Sequence, residues 1–118
     1  MKNKKTLVIG ASTNPVRYSH MAVHQLRTNH HKVIGLAKRR CEVAGIEIQT
    51  KFPEGEKFHT VTLYIGAKHQ PEYYESVLNL NPQRVIFNPG TENDEFYRKL
   101  TAAGIEAIEA CTLVMLNT

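Results

Sequence analysis

The sequence predicts an α/β fold in which one parallel sheet is covered by helices on both faces, and three observations carry that expectation. Short β-branched runs alternate with helical stretches along the chain, the pattern of parallel strands joined by crossover helices. The first run, Leu7-Val8-Ile9, breaks at Gly10 into a loop of small polar residues and then a helix start. Such a turn aims backbone N–H groups and a positive helix end at a bound phosphate. The length of 118 residues with 42% hydrophobic content suffices for one compact domain, taken as residues 1 to 118, and hardly for two.

The elements follow in order. The first strand is Thr6 to Gly10, and a helix runs from Ser19, a suitable N-cap, to Asn29, with Ala22, Val23 and Leu26 on its inward face. The chain bends at His30-His31, and Val33 to Ala37 is the second strand. Ile46 to Gln49 reads as a short edge strand before a loop built around Pro53-Glu54-Gly55, where nothing signals a helix. Val61 to Ile65 is the next strand. Pro71 fits the first position of a helix whose Tyr74, Val77 and Leu78 share a face and which Asn81-Pro82 ends. Arg84 to Asn88 is a further strand. After Pro89-Gly90 comes a helix that Thr91 would cap, with Asp94 three positions on and Phe96, Leu100 and Ala103 facing the core. Gly104 stops it, Ile105 to Glu109 is the last strand, and the apolar tail through Leu113, Val114, Met115 and Leu116 is expected to pack as a short helix.

Charge and cysteine content narrow the function classes. The net charge of +4 would suit an anionic partner, but the basic residues are interleaved with acids except at Lys2 to Lys5 and Lys38 to Arg40, which argues against a nucleic-acid surface. Cys41 and Cys111 alone make no disulfide framework. No apolar run approaches the 20 or so residues of a transmembrane helix, so neither membrane nor nucleic acid is expected as a partner, and cytoplasm is the default location.

In a doubly wound sheet the ligand sits beyond the carboxyl ends of the strands, where the strand order reverses. Four loops reach that crevice: Gly10 to Ser19, Leu36 to Cys41, Ile65 to His69, and Asn88 to Asn93. The first is not a full dinucleotide fingerprint, because Ser12 and Pro15 stand where further glycines would. Ser12, Thr13 and Asn14 are nonetheless small hydrogen-bonding residues, and Arg17 suits bidentate bonding to phosphate. Lys38-Arg39-Arg40 occupies the place of the acidic ribose-binding residue of an NAD-type site and points to a nucleotide with an extra phosphate. An ordinary polar turn and a solvated cationic loop remain the alternative readings of these two segments.

The stretch from Val8 to Ser19, with Asn88-Pro89-Gly90-Thr91-Glu92-Asn93 and Gly104-Ile105-Glu106-Ala107 leading to Cys111-Thr112-Leu113, resembles the small stand-alone CoA-binding proteins. These are similar to the N-terminal CoA-binding domain of the succinyl-CoA synthetase α-subunit. The resemblance covers essentially the whole chain. It implies a Rossmann-like, three-layer α/β/α domain with strand order 3-2-1-4-5-6, Ile46 to Gln49 at the edge. It also implies that Gly10, Ala11, Ser12, Thr13, Asn14, Arg17 and Ser19 hold the pyrophosphate of coenzyme A or an acyl-CoA. Lys38, Arg39 and Arg40 would approach the 3′-phosphate. Ile65, Gly66 and Ala67 would line the crevice, and Asn88, Pro89 and Gly90 would face the pantetheine arm. Two features depart from the family pattern: the loop around Pro53 in place of a helix, and the basic triplet in place of an Asn-Pro turn.

Candidates for chemistry are few. Cys111 follows the last strand and could meet a CoA thiol, although a lone buried cysteine more often serves as a small apolar residue. Of six histidines only His20 and His24 have the spacing of a helical metal pair, with no third ligand at a recognisable spacing. The phosphorylated histidine of the synthetase belongs to a second domain not present in this sequence. No catalytic residue and no metal are therefore expected. The leading expectation is a nucleotide-binding protein for coenzyme A without catalysis of its own. The alternatives are an NADP-dependent oxidoreductase and a nucleotide-sensing regulatory module acting on a partner enzyme, with a homo-oligomer left open.

Overall fold

Seven strands form among the described residues: β1 (Thr6–Ile9), β2 (Val33–Leu36), β3 (Cys41–Val43), β4 (Ile46–Gln49), β5 (Thr60–Leu63), β6 (Arg84–Phe87) and β7 (Glu106–Glu109). The computed structural model describes residues 4–10, 23, 26, 31–37, 41–43, 46–53 and 55–112. The strands make one sheet in the order β3-β4-β2-β1-β5-β6-β7, in which β4-β2-β1-β5-β6-β7 are parallel neighbours and reproduce the expected doubly wound order. Ile46–Gln49 is not the edge. β3 pairs antiparallel with it, Cys41 opposite Ile48 and Val43 opposite Ile46, and supplies the outer strand. An antiparallel edge strand on an otherwise parallel sheet is common and leaves the switch point where it was.

Both faces of the sheet are covered, and successive side chains divide between them. Leu7, Ile9, Leu63, Val85 and Phe87 pack in one buried cluster with Val77, Phe96 and Leu100. These last three come from α1 (Tyr74–Leu80) and α2 (Asp94–Ala102). Val8, Val33 and Ile48 pack on the other face with the helical residues Val23 and Leu26, which gives the three layers expected. The remainder of the helix expected from Ser19 to Asn29, and the tail from Leu113 to Thr118, lie outside the described residues.

Local signals acted with small differences. Pro71 opens a 3₁₀ turn, Pro71–Tyr73, that leads into α1, and Asn81 ends that helix in the left-handed region at φ 51°. The cap of α2 is Asn93 rather than Thr91: its side-chain oxygen accepts the Phe96 N–H at 3.1 Å. Thr91 is instead buried, its hydroxyl donating to the Asn88 carbonyl at 2.8 Å. Ala103, expected in the core, closes α2 at its C-cap and is exposed, while Gly104 turns the chain at φ 80°. No helix occurs among the described residues between β4 and β5, as expected, and none anywhere among them is long and apolar enough to cross a membrane.

Candidate functional site

The parallel strands end together, and each hands its next amide to a neighbour. The Gly10 N–H donates to Leu36 O at 2.8 Å, Ala37 N–H to Gln49 O at 2.8 Å, Tyr64 N–H to Ile9 O at 2.9 Å and Ala110 N–H to Phe87 O at 3.1 Å. The sheet order reverses between β1 and β5, so the segments leaving these strands, Gly10 and Tyr64 to Ala67, border the crevice. They cross in close contact. A side-chain carbon placed on Gly10 would lie 2.8 Å from Ile65 Cγ2 and 3.1 Å from the carbonyl carbon and oxygen of Tyr64, and Gly10 holds φ at +94°. Only glycine satisfies both conditions, so the first loop starts flush against the β5 end.

Of the residues expected at the site, the structure brings Gly10 and Ile65 into contact at this crossing, and Gly66 and Ala67 follow Ile65 in the chain. Ile65 and Ala67 are half-buried and Gly66 is exposed. Pro89 and Gly90, beyond β6, are also exposed, but the Gly90 N–H is engaged by the Glu92 carboxylate at 2.9 Å. Asn88 differs from these two neighbours. Its side chain is buried, its amide nitrogen donates to Thr62 Oγ1 at 2.6 Å and Leu63 O at 2.8 Å, and its oxygen accepts the Thr112 N–H at 2.9 Å. Thr62 and Thr112 complete this buried knot with a 2.6 Å bond between their hydroxyls. Asn88 thus ties the chain beyond β7 to the centre of the sheet. Ala11, Ser12, Thr13, Asn14, Arg17, Ser19, Lys38, Arg39 and Arg40 lie outside the described residues.

Two side chains at this end carried no signal in the sequence. Gln70 is fully buried; its amide nitrogen donates to Ile65 O at 2.9 Å and Thr91 O at 2.8 Å, and its oxygen accepts from Asn93 Nδ2 at 2.9 Å. Asn93 Nδ2 also reaches the Tyr74 hydroxyl at 2.8 Å, so one buried glutamine clamps the loops after β5 and β6 to each other. Tyr64 packs against the Val8, Val23 and Leu26 cluster, and its buried hydroxyl has no hydrogen-bond partner among the described residues. Burial pushes its pKa up to about 12 against the smaller opposing influence of the Thr112 and Thr62 hydroxyls, while the nearby Cys111 adds to the rise. At neutral pH this phenol stays protonated and is neither base nor nucleophile. Cys111 is half-buried and free.

A separate cavity of about 440 Å³ lies beside the C-terminal half of α1, lined by Phe52, Gly55, Glu56, Ser76, Asn79 and Leu80. Leu80 leads into the amino end of β6, so this cavity is remote from the carboxyl-end crevice.

The model of the CoA-binding domain family matches residues 4–117. No curated protein matches the sequence. Among solved structures, that of an uncharacterized protein is 43% identical, with a TM-score of 0.95, over 99% of this chain and 97% of that one. A protein from Thermus thermophilus, cell-free ID.343, is 23% identical with a TM-score of 0.86, over 97% of this chain and 90% of its own. The dinucleotide-forming acetyl-coenzyme A synthetase 1 of Ca. Korarchaeum cryptofilum, in complex with phosphate and ADP, is 14% identical with a TM-score of 0.75. There the likeness takes in 91% of this chain but 25% of the synthetase, and it shows shared fold alone.

Proposed function

This chain belongs to the CoA-binding domain family, and we propose that it binds coenzyme A or an acyl-CoA across the carboxyl ends of β1 and β5 without catalysis of its own. The observation that carries the reading is the crossing at Gly10, where the absence of a side chain lets the first loop start against Tyr64 and Ile65. A ligand diphosphate can then approach backbone N–H groups at the switch point, the position at which a doubly wound sheet takes its nucleotide. Gly66, Ala67, Pro89 and Gly90 supply a border of small or rigid residues past which a narrow pantetheine arm would run. The 3′-phosphate is assigned to Lys38, Arg39 and Arg40, and the diphosphate to Ser12, Thr13, Asn14 and Arg17 with the loop amides. Tyr64, protonated at neutral pH, is a hydrogen-bond donor at most.

Thermal melts with CoA, 3′-dephospho-CoA, NADP and NAD at matched concentrations test the reading. A ligand of the folded state stabilises it by RT ln(1 + [L]/Kd), about 2.7 kcal/mol at a hundredfold excess over Kd. The expected result is a clear rise in Tm with CoA that shrinks with dephospho-CoA. A rise with NADP alone, or with none of the four, would overturn it.

A further inference from the structure

The end of the sheet opposite the crevice holds a second concentration of polar chemistry. Register places Thr6, Thr60, Arg84 and Glu106 on one rung across β1, β5, β6 and β7. Their side chains leave the sheet on the same face, because each lies two residues before Val8, Thr62, Ile86 or Ile108. Lys4, His31 and His59 stand just ahead of β1, β2 and β5, beside this rung.

Hydrogen bonds fix how these groups present themselves. His31 Nδ1 accepts the Lys4 backbone N–H at 3.1 Å, so the neutral ring carries its hydrogen on Nε2. Thr60 Oγ1 accepts Arg84 Nε–H at 2.8 Å and lies 2.7 Å from His59 Nδ1. That contact takes up the Nδ1 side of the His59 ring and leaves Nε2 as its outward nitrogen, which carries a hydrogen whenever the ring is protonated. Arg84 uses Nε internally and forms no ion pair among the described residues, which leaves its terminal nitrogens as donors. Lys4, Arg84 and His59 are all partly exposed, while His31 is 6% exposed and forms a wall.

Among the described residues, cations outnumber anions around these imidazoles. Besides burial, Lys4 and Arg84 hold both imidazoles below their ordinary pKa, and on His59 the effect of His31 adds to theirs and that of Glu106 opposes it. A cluster of donors with that balance gains from an added anion, which relieves the repulsion between the cations and accepts their hydrogens.

We propose that the amino-end rung is a second binding site, for a phosphate group, held by the terminal nitrogens of Arg84, the His59 Nε2–H and the Lys4 ammonium. It is independent of the crevice, which lies at the other end of the strands. Because an anion favours protonated His59, affinity rises as pH falls and the His59 titration midpoint rises when the site is filled.

The test is ring NMR of His31 and His59 in the full chain, titrated with inorganic phosphate and, separately, with glycerol 3-phosphate at constant ionic strength set by chloride. The expected result is a saturable shift of the His59 ring, an upward move of its midpoint, and unchanged amides at Ile65 to Ala67. Arg84→Gln, whose amide can still donate to Thr60, should weaken binding about tenfold or more. Lys4→Gln leaves the backbone bond to His31 in place and should also weaken it. Tighter binding of glycerol 3-phosphate would identify a small phosphomonoester as the occupant, and equal or tighter binding of inorganic phosphate the free ion. A response that chloride reproduces, that survives both substitutions, or that moves only the Ile65 to Ala67 amides would overturn the proposal.

Discussion

Replacing Gly10 by alanine should be among the most damaging single-methyl changes available in this protein, and its cost can be divided in advance. The residue sits at φ +94°, a conformation that costs a side-chain-bearing residue ~1–2 kcal/mol. The new carbon would also lie 2.8 Å from Ile65 Cγ2 and 3.1 Å from two backbone atoms of Tyr64. The Ile65 methyl can rotate away, but the Tyr64 carbonyl is anchored by the Tyr64 N–H bond to Ile9, so the β5 end must shift, at a further ~1–3 kcal/mol. Gly90 provides the internal control, since it has φ +92° and no described residue lies within 4 Å of a side-chain carbon placed there. Gly90→Ala should therefore lose only the backbone part, ~1–2 kcal/mol, and Gly10→Ala about 2–5 kcal/mol. Urea unfolding followed by circular dichroism measures both. Equal losses for the two variants would show that the close crossing at Tyr64 and Ile65 is not a real constraint.

Three further outcomes follow from the geometry. Gln70→Leu orphans the Ile65 and Thr91 carbonyls and should cost ~2–4 kcal/mol in urea unfolding; a loss below ~1 kcal/mol would show that the clamp between the two loops is dispensable. Tyr64→Phe removes a buried hydroxyl without a partner among the described residues, so ligand-free stability should change by less than ~0.5 kcal/mol or rise, and a loss above ~1.5 kcal/mol would reveal a bond there. His31 and His59 lie below their ordinary pKa of 6.5 in the folded chain, burial being the largest cause for both. The unfolded chain therefore binds more protons below that pH, so stability is complete above it and falls as pH drops through and below it. Urea midpoints should be lower at pH 5.5 than at pH 7.5, and the difference should shrink in the His31→Gln, His59→Gln double variant; equal midpoints in the parent protein would contradict the assignment.

The central strands Thr6–Ile9, Thr60–Leu63 and Arg84–Phe87 were readable because each is a largely apolar run bounded by turn residues, and burial on both faces leaves little ambiguity about what such runs do. β3 was missed because Cys41 follows three basic residues and reads as loop. Its signal was present in Cys41 and Val43 flanking Glu42 just as Ile46 and Ile48 flank Glu47, a pairing the register confirms. The α2 cap went to Asn93 because Thr91 is drawn into the sheet end by Gln70, a tertiary contact that no local window contains. Gln70 itself, set between His69 and Pro71, looks like a solvent-facing turn residue, and only the approach of the β5 and β6 loops shows otherwise. Asn88 was singled out for its place at the end of β6. That place is as expected, while its bonds to Thr62, Leu63 and Thr112 depend on chain segments 24 to 26 residues away on either side and cannot be read locally.

Amide chemical-shift mapping with coenzyme A addresses the location of binding directly. The carboxyl-end site requires saturable shifts at Gly10, Tyr64, Ile65, Gly66, Ala67 and Gly90, with Thr6, Thr60, Arg84 and Glu106 moving only at higher ligand excess. Shifts that begin at the amino-end residues, or that appear at neither end, would contradict it.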